Sequence, residues 1–394
     1  MNKYLKSLIP PAFIYIFNRL PIHNFKNFWK KNKNNFLIEE ELKKMIDFFV
    51  TSRSYKYVSN YWHYLNIKNM KQIFESNNNI NNFSTSVALN YYTFIDPTEK
   101  QVHKTITNVE NEIFSSKIHF FKKQKNLNYT QSMKYNFLTF LLFLNLIKIN
   151  YYEKLKSLDD EGYVGFGDPY IDIEGIKVTS DKINSLFDFD KINRFCNLNN
   201  QKTILEIGAG SGRTSQCIMT FNSNCKYVIC DIPPALFISY ERLRKVFKNK
   251  KVGLLYNYQN NNQKNEFDGG GGGSSEQDLN SQINHYDISF IMPHQLSLLN
   301  NRFFDLTIAI DCLHEMDKKT INKYINNINK ISKLFYFSVW KKTNVPFSGI
   351  FNRFSNNLNY YSNDYNLPKN FKKEFEEDLI FPSNFISSGY RINF

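Results

Sequence analysis

The sequence predicts an α/β protein: a doubly wound, Rossmann-like parallel sheet behind a mainly helical N-terminal region. Three observations carry this. From residue 203 onward, short apolar runs alternate with helix-length amphipathic stretches, the pattern of parallel strands joined by crossover helices. The first run, Thr203-Ile-Leu-Glu-Ile207, empties into Gly-Ala-Gly-Ser-Gly at residues 208–212, ahead of a helix starting near Arg213. Residues 38–149 instead carry apolar and aromatic side chains mostly at helical spacing.

A chain of 394 residues exceeds one small core and divides by pattern. Residues 1–160 read as a mainly helical accessory or substrate domain, 161–200 as a connector with a lid-like segment, and 201–394 as the α/β domain. A hydrophobic content of 42% with 16% aromatics excludes a disordered chain. The net charge of +14 favours anionic partners: nucleic acid, an acidic membrane surface, or phosphate-bearing or acidic glycans. Abundant Lys, Asn, Ile, Phe and Tyr also follow from an AT-rich coding sequence. Cys196, Cys217, Cys225, Cys230 and Cys312 are odd in number and form no C-x-x-C pair, which predicts a reduced, cytosolic protein without structural zinc; no metal ligands are singled out. Pro10-Pro11 breaks the apolar start, and no signal cleavage site follows. The longest apolar run, residues 137–149, is interrupted by Asn145 and Lys148 and is too short to span a bilayer.

Residues 1–35 mix Leu5, Leu8, Ile9, Phe13, Ile14, Ile16 and Phe17 with seven lysines and arginines. Such a basic amphipathic start either lies on an anionic membrane surface or packs on the protein. Helices are expected over 39–49, 97–123 and 131–155, with an Asn-rich loop at 77–82. Gly162 to Tyr170 forms a glycine-rich loop, either a flap over the cleft or a plain linker. A hairpin over 171–178 turns at Glu174-Gly175, and Thr179 begins a capped helix. Strands follow at 203–207, 226–230, 288–292, 305–310, 334–339 and 385–392, with helices over 213–220, 235–247 and 319–331. Residues 249–286 break this rhythm. Gly269 to Gly273 and Ser274-Ser275, inside a flexible loop at about 260–280, read as an engineered linker, with a natural low-complexity insert as the alternative.

The bend after the first strand decides the ligand class. A dinucleotide fingerprint is G-x-G-x-x-G, with a helix start facing a pyrophosphate. Here the pattern is E-x-G-x-G-x-G: Glu206 precedes Gly208, Gly210 and Gly212, and Arg213 stands where a third dinucleotide glycine would fall. An acid before the turn suits a cationic amino group better than a phosphate. S-adenosylmethionine (SAM) carries such a group and no phosphate, and the stretch resembles the first motif of class I SAM-dependent methyltransferases. The expected cofactor contacts are Glu206, Gly208, Ala209, Gly210, Gly212 and Arg213 at this turn. Asp231 and Ile232 at the second strand end would take the ribose, because a carboxylate there can accept both of its hydroxyls. Met292 would pack on the adenine, with His294 or Gln295 at its edge. Asp311 closes the site at the fourth strand end.

Moving a methyl from a sulfonium to a hydroxyl needs the acceptor oxygen near the methyl carbon and a base for its proton. His314 is the candidate base, since a neutral imidazole suits that task. Glu315 is the fallback base or the group orienting it. Lys341 and Lys342, with Arg213, are candidates for an anionic part of the acceptor.

Several pieces together resemble one family: Gly165-Phe-Gly-Asp-Pro169, Asp181-x-x-Asn-Ser185, the 204–214 turn, Cys230-Asp-Ile-Pro-Pro234, Pro293-His-Gln295, Leu313-His-Glu-Met316 and Trp340-Lys-Lys342. They resemble the sugar O-methyltransferases of bacterial surface-polysaccharide loci, over roughly residues 160–345. The resemblance implies a class I SAM fold and a saccharide hydroxyl acceptor; the basic start and the positive charge fit a phosphate-bearing or lipid-linked glycan methylated at the cytosolic face of the inner membrane. Two other readings stay open. A nucleic-acid methyltransferase is suggested only by charge, without an N-P-P-Y-like motif or RNA-binding module, so a nucleic-acid partner is not expected. A non-catalytic SAM-binding scaffold is the other.

Overall fold

The computed structural model describes residues 25–34, 38–75, 129–256, 278–343, 345–346, 355–356, 358–380 and 384–393. The expected helix at 97–123, residues 1–24 of the basic start and the glycine run lie outside them. The helical region holds α1 (Phe25–Asn32), α2 (Glu40–Thr51), α3 (Asn60–Glu75), α4 (Tyr129–Lys148) and α5 (Tyr152–Ser157). α2 places Glu40 and Glu41 in its first turn, where carboxylates oppose the helix dipole, and buries Leu42, Met45, Ile46 and Phe49 along one face. α1 is packed against it: Trp29 is buried and its indole donates to Asp47 at 2.7 Å. The single helix expected over 131–155 is two. Asn150 takes a left-handed φ of 60°, which ends the first and redirects the chain into the second.

The hairpin is where the sequence put it. β1 (Ile171–Ile173) pairs with β2 (Ile176–Val178), and Glu174 and Gly175 turn with φ values of 53° and 81°, as a two-residue turn of this hand requires. Thr179 then caps α6 (Ser180–Cys196), its hydroxyl accepting the Lys182 N–H at 3.0 Å. The segment ahead of the hairpin is packed: Tyr163 is buried and its hydroxyl donates to the Arg213 carbonyl at 3.1 Å.

The remaining elements are β3 (Thr203–Ile207), α7 (Arg213–Phe221), β4 (Lys226–Cys230), α8 (Ala235–Val246), β5 (Val252–Leu254), α9 (Leu279–His285), β6 (Ile288–Ile291), β7 (Phe304–Ile310), α10 (Lys318–Ile331) and β8 (Ser332–Trp340). A small antiparallel pair, β9 (Val345–Pro346) and β10 (Ser355–Asn356), precedes β11 (Phe371–Asp378) and β12 (Phe385–Ile392). The main sheet runs β5-β6-β4-β3-β7-β8-β12-β11. Its first six strands are parallel, and β12 is antiparallel to both neighbours. This is the doubly wound, Rossmann-like sheet that the sequence predicts.

Two strands of the main sheet, and the small β9–β10 pair, were not expected. β5 is only Val-Gly-Leu, within the Asn-rich stretch that broke the rhythm, and α9 follows in the same stretch. β11 reads Phe-Lys-Lys-Glu-Phe-Glu-Glu-Asp and is largely exposed, a charged edge strand whose sequence hides its period.

Alternation along the strands divides the core. Ile204, Tyr227, Phe290, Ile308 and Tyr336 face one side, with side chains of α6, α7 and α8. Leu205, Val228, Ala309, Phe335 and Phe337 face the other, with side chains of α9 and α10. Met45, Phe49, Met70, Phe140 and Leu144 of the N-terminal helices belong to the first of these clusters. Among the described residues no helix is long and apolar enough to cross a membrane.

Candidate active site

β3 lies between β4 and β7, where the strand order reverses direction, and ligands of open parallel sheets bind beyond the carboxyl ends of the strands there. The chain leaves β3 through Gly208, Gly210 and Gly212, with φ values of 71°, 59° and 77°. A Cβ on Gly208 would stand 2.6 Å from Cys312 Cβ, and one on Gly212 would stand 3.2 Å from Ser239 Cβ. Among the described residues nothing lies within 4 Å of where a Cβ on Gly210 would stand. Two of the glycines therefore allow close protein packing, while the middle one borders open space. Ala209 between them is buried.

Two acids were expected here, and the structure gives them different surroundings. Asp231 is buried beside the turn. Its Oδ2 accepts the Gly210 N–H at 2.8 Å and its Oδ1 the N–H of Ile232 at 2.7 Å. Burial pushes its carboxyl up to about 7, against the downward pull of those two bonds. Glu206 is engaged beneath the turn. One of its oxygens accepts from the Ser215 hydroxyl and from the Tyr227 hydroxyl, the latter at 2.9 Å, tying β3 to α7 and β4. Burial raises its pKa and the two hydroxyls oppose that. Arg213 is likewise committed within the protein: its guanidinium donates to Asp188 of α6 at 2.9 Å.

At the end of β6, Met292 is buried and its N–H donates to the Gln295 side chain at 2.7 Å. Gln295 in turn donates to the Leu255 carbonyl at 2.7 Å, so its amide orients the backbone. His294 reaches the N-terminal helices. Its Nδ1 hydrogen-bonds the Ser54 hydroxyl, its ring lies 5.8 Å from that of Phe48, and its Nε2 is buried without a partner. Burial brings this imidazole down to about 4, so it is neutral.

After β7, Asp311 takes a left-handed φ of 58° while its N–H donates to the Ser338 carbonyl at 3.0 Å. The turn Leu313–Glu315 then folds His314 back, with Nε2 3.4 Å from Asp311 Oδ1. The imidazole is 2% exposed, stacked on Trp340 at 5.5 Å and met edge-on by Phe385 at 5.4 Å. Its Nδ1 has no partner. Burial lowers His314 to about 3 and raises Asp311 to about 8, favouring the uncharged form of each. Glu315 is pushed well above the usual range by burial and by Asp311, while a hydrogen bond from the Trp62 side chain opposes the rise.

Trp62 and Ser59, whose hydroxyl donates to the Glu315 carbonyl at 3.2 Å, were not singled out in the sequence, nor was Ser54. Helical spacing marks aromatics there as core, and nothing local to that region signals a partner so distant in the chain. The two candidate lysines do not gather with Arg213: Lys341 pairs with Asp378 at 2.7 Å, and Lys342 is exposed.

No protein-family model matches the chain, and no curated protein matches it. Solved structures resemble it at low similarity. The PH0226 protein from Pyrococcus horikoshii OT3 has a TM-score of 0.35 at 13% identity, covering 54% of this chain and 90% of its own. The pyocyanin biosynthetic protein PhzM has 0.35 at 12% identity, covering 62% of each chain. The mitomycin 7-O-methyltransferase MmcR has 0.34 at 9% identity, covering 54% of this chain and 56% of its own. At that level of similarity a shared substrate does not follow.

Proposed function

We propose that this chain is a SAM-dependent O-methyltransferase whose acceptor is a sugar hydroxyl of a bacterial surface glycan, capsule or lipopolysaccharide, or of its precursor. The observation that carries the reading is the bend after β3, where Gly210 borders open space and its N–H is held by the buried Asp231. A phosphate-free cationic nucleoside suits a bend flanked by carboxyl groups. After its two backbone bonds, Asp231 keeps acceptor capacity for ribose hydroxyls. Gly208, Ala209, Gly210 and Gly212 would line the passage, Ile232 and Met292 would flank the base, and the unpartnered Nε2 of His294 would serve its edge. SAM supplies the methyl group as an electrophile.

The remaining work belongs to the protein's side chains. The acceptor oxygen must be held in line and must lose its proton as its bond to carbon forms. Nδ1 of His314 carries no bond among the described residues, and Asp311 beside Nε2 can offset the burial that weakens the ring as a base, so His314 is the base of this proposal. Asp311, 3.4 Å from Nε2, would stabilise the resulting imidazolium once ionised. Trp340 and Phe385 exclude water from the ring. The sugar acceptor follows from the family resemblance of residues 160–345, and the charge of +14 suits a phosphate-bearing or lipid-linked glycan reached at the cytosolic membrane face. The test is mass spectrometry of the surface polysaccharide with and without the gene. One missing methyl per repeat is expected. An unmodified spectrum, with no methyl transfer from SAM to glycan precursors by the purified chain, would overturn the reading.

A further inference from the structure

On the sheet face that packs against α10, residues 360–367 and β11 enclose a cavity of about 240 Å³. Its wall is aromatic: Phe337 of β8, Tyr360, Tyr361 and Tyr365 of the loop, and Tyr390 of β12, with Lys373 of β11 also lining it. Tyr390 stacks on Phe337 at 5.8 Å, Tyr365 lies 5.6 Å from the same ring, and Tyr361 meets Tyr360 edge-on at 5.4 Å. The loop is fixed to α10, with Lys318 bound to Asp364 at 2.6 Å and Asn366 to Asn322 at 2.9 Å.

Packing leaves two features of this cavity unexplained. Tyr361 is 63% exposed, although aromatic surface is normally withdrawn from water. Tyr365 is 1% exposed and its hydroxyl has no partner among the described residues, a buried donor left unsatisfied there. The matching ligand has an apolar face for the rings and hydroxyls for the polar groups. A pyranose ring has both: its C–H face lies on an aromatic ring, and its hydroxyls exchange hydrogen bonds with tyrosine and lysine. Lys373 is paired with Glu376 at 2.6 Å, so the wall offers no uncompensated charge for an ionic ligand, and a purely apolar one would leave the Tyr365 hydroxyl unpaired. The volume falls below the roughly 300–1,000 Å³ of drug-sized sites, which fits one ring rather than a nucleoside.

We infer that this cavity is a saccharide-binding site, separate from the strand ends that carry Asp231 and His314. Phe337 precedes Trp340 on β8 by about 10 Å of strand and points to the opposite face, so the cavity is a distinct site from the strand ends. Assigning the bound ring to the acceptor chain rests on the proposed function; the binding does not.

The experiment is saturation-transfer NMR on the full chain, with methyl glycosides of glucose, galactose and N-acetylglucosamine at millimolar concentration. Transfer to the ring protons of at least one glycoside is expected. In Tyr361→Ala, whose side chain is exposed, its affinity should fall about fivefold, the loss of one aromatic contact, with melting temperature and SAM binding unchanged. Tyr365→Phe should also weaken binding, since only the orphan hydroxyl is removed. No transfer from any glycoside, equal transfer in wild type and Tyr361→Ala, or transfer from choline alone overturns the site. Glycoside binding without any methylation of sugars would instead remove the proposed function and leave this site standing. Sugar methylation with a silent cavity would do the reverse.

Discussion

Gly210 sits at φ 59° with free space where a side chain would begin, so a substitution there acts mainly on what enters that space. Gly210→Val should weaken SAM binding by at least about tenfold in calorimetric titration. The left-handed backbone adds a stability cost of roughly 1–2 kcal/mol. Unchanged affinity would remove the bend as the cofactor passage. Asp311 gives a pH test with a definite sign. Its carboxyl stands at about 8 in the folded chain against an ordinary 3.8. A raised acid favours the folded state when protonated, so this contribution is complete below about pH 4 and lost as pH rises through about 8. The melting temperature should therefore decline across that interval less steeply in Asp311→Asn than in wild type. Turnover should move the other way, rising as Asp311 ionises beside His314, and that limb should vanish in the variant. At this scale the sequence marked Asp231 and His314 by their place after strands. It did not show that Glu206 and Arg213 are held by Ser215, Tyr227 and Asp188, because those pairings depend on how α6 and α7 pack.

Elements whose apolar pattern is continuous were legible: β3, β4 and β12 have the bounds the sequence predicts. β5 and β11 were not, because one is three residues long and the other is charged along its exposed edge. The same limit hid the contact of α3 with the turn after β7. There Ser59 donates to the Glu315 carbonyl at 3.2 Å, and the Trp62 side chain draws the Glu315 pKa down against burial. Trp62→Phe keeps the ring and deletes the N–H. Turnover should fall about fivefold, the worth of one hydrogen bond to an uncharged carboxyl, with SAM affinity retained. A Michaelis constant that rises with turnover intact would place Trp62 in acceptor binding instead. Between α6 and α7, Asp188 is nearly buried against Arg213. Asp188→Ala strands a guanidinium and should cost about 3 kcal/mol in denaturant unfolding, while pairing it with Arg213→Met should recover much of that. A cost below about 1 kcal/mol would mean that solvent already screens the pair.

Composition suggested a helical region and a sheet side by side, yet the buried side chains do not divide there. Trp29, Phe49, Met70 and Phe140 lie in one apolar cluster with Ile204, Phe290 and Tyr336 of the sheet. Polar contacts follow the same boundary: Glu41 binds Tyr256 at 2.8 Å, Ser54 binds His294, and Lys323 donates to the Lys56 carbonyl at 2.9 Å. Helices that share a core with a sheet lose their own burial when it opens, so the two should unfold together. Calorimetry should show one transition with matching van't Hoff and calorimetric enthalpies. SAM at about a hundred times its dissociation constant should add about 2.7 kcal/mol and move that transition as a whole, although the glycine bend belongs to the sheet. Two peaks, with only one moving on ligand addition, would show that the helical region folds apart from the sheet. The contacts of Trp62 and Ser54 with the strand ends would then be docking contacts between two folded bodies.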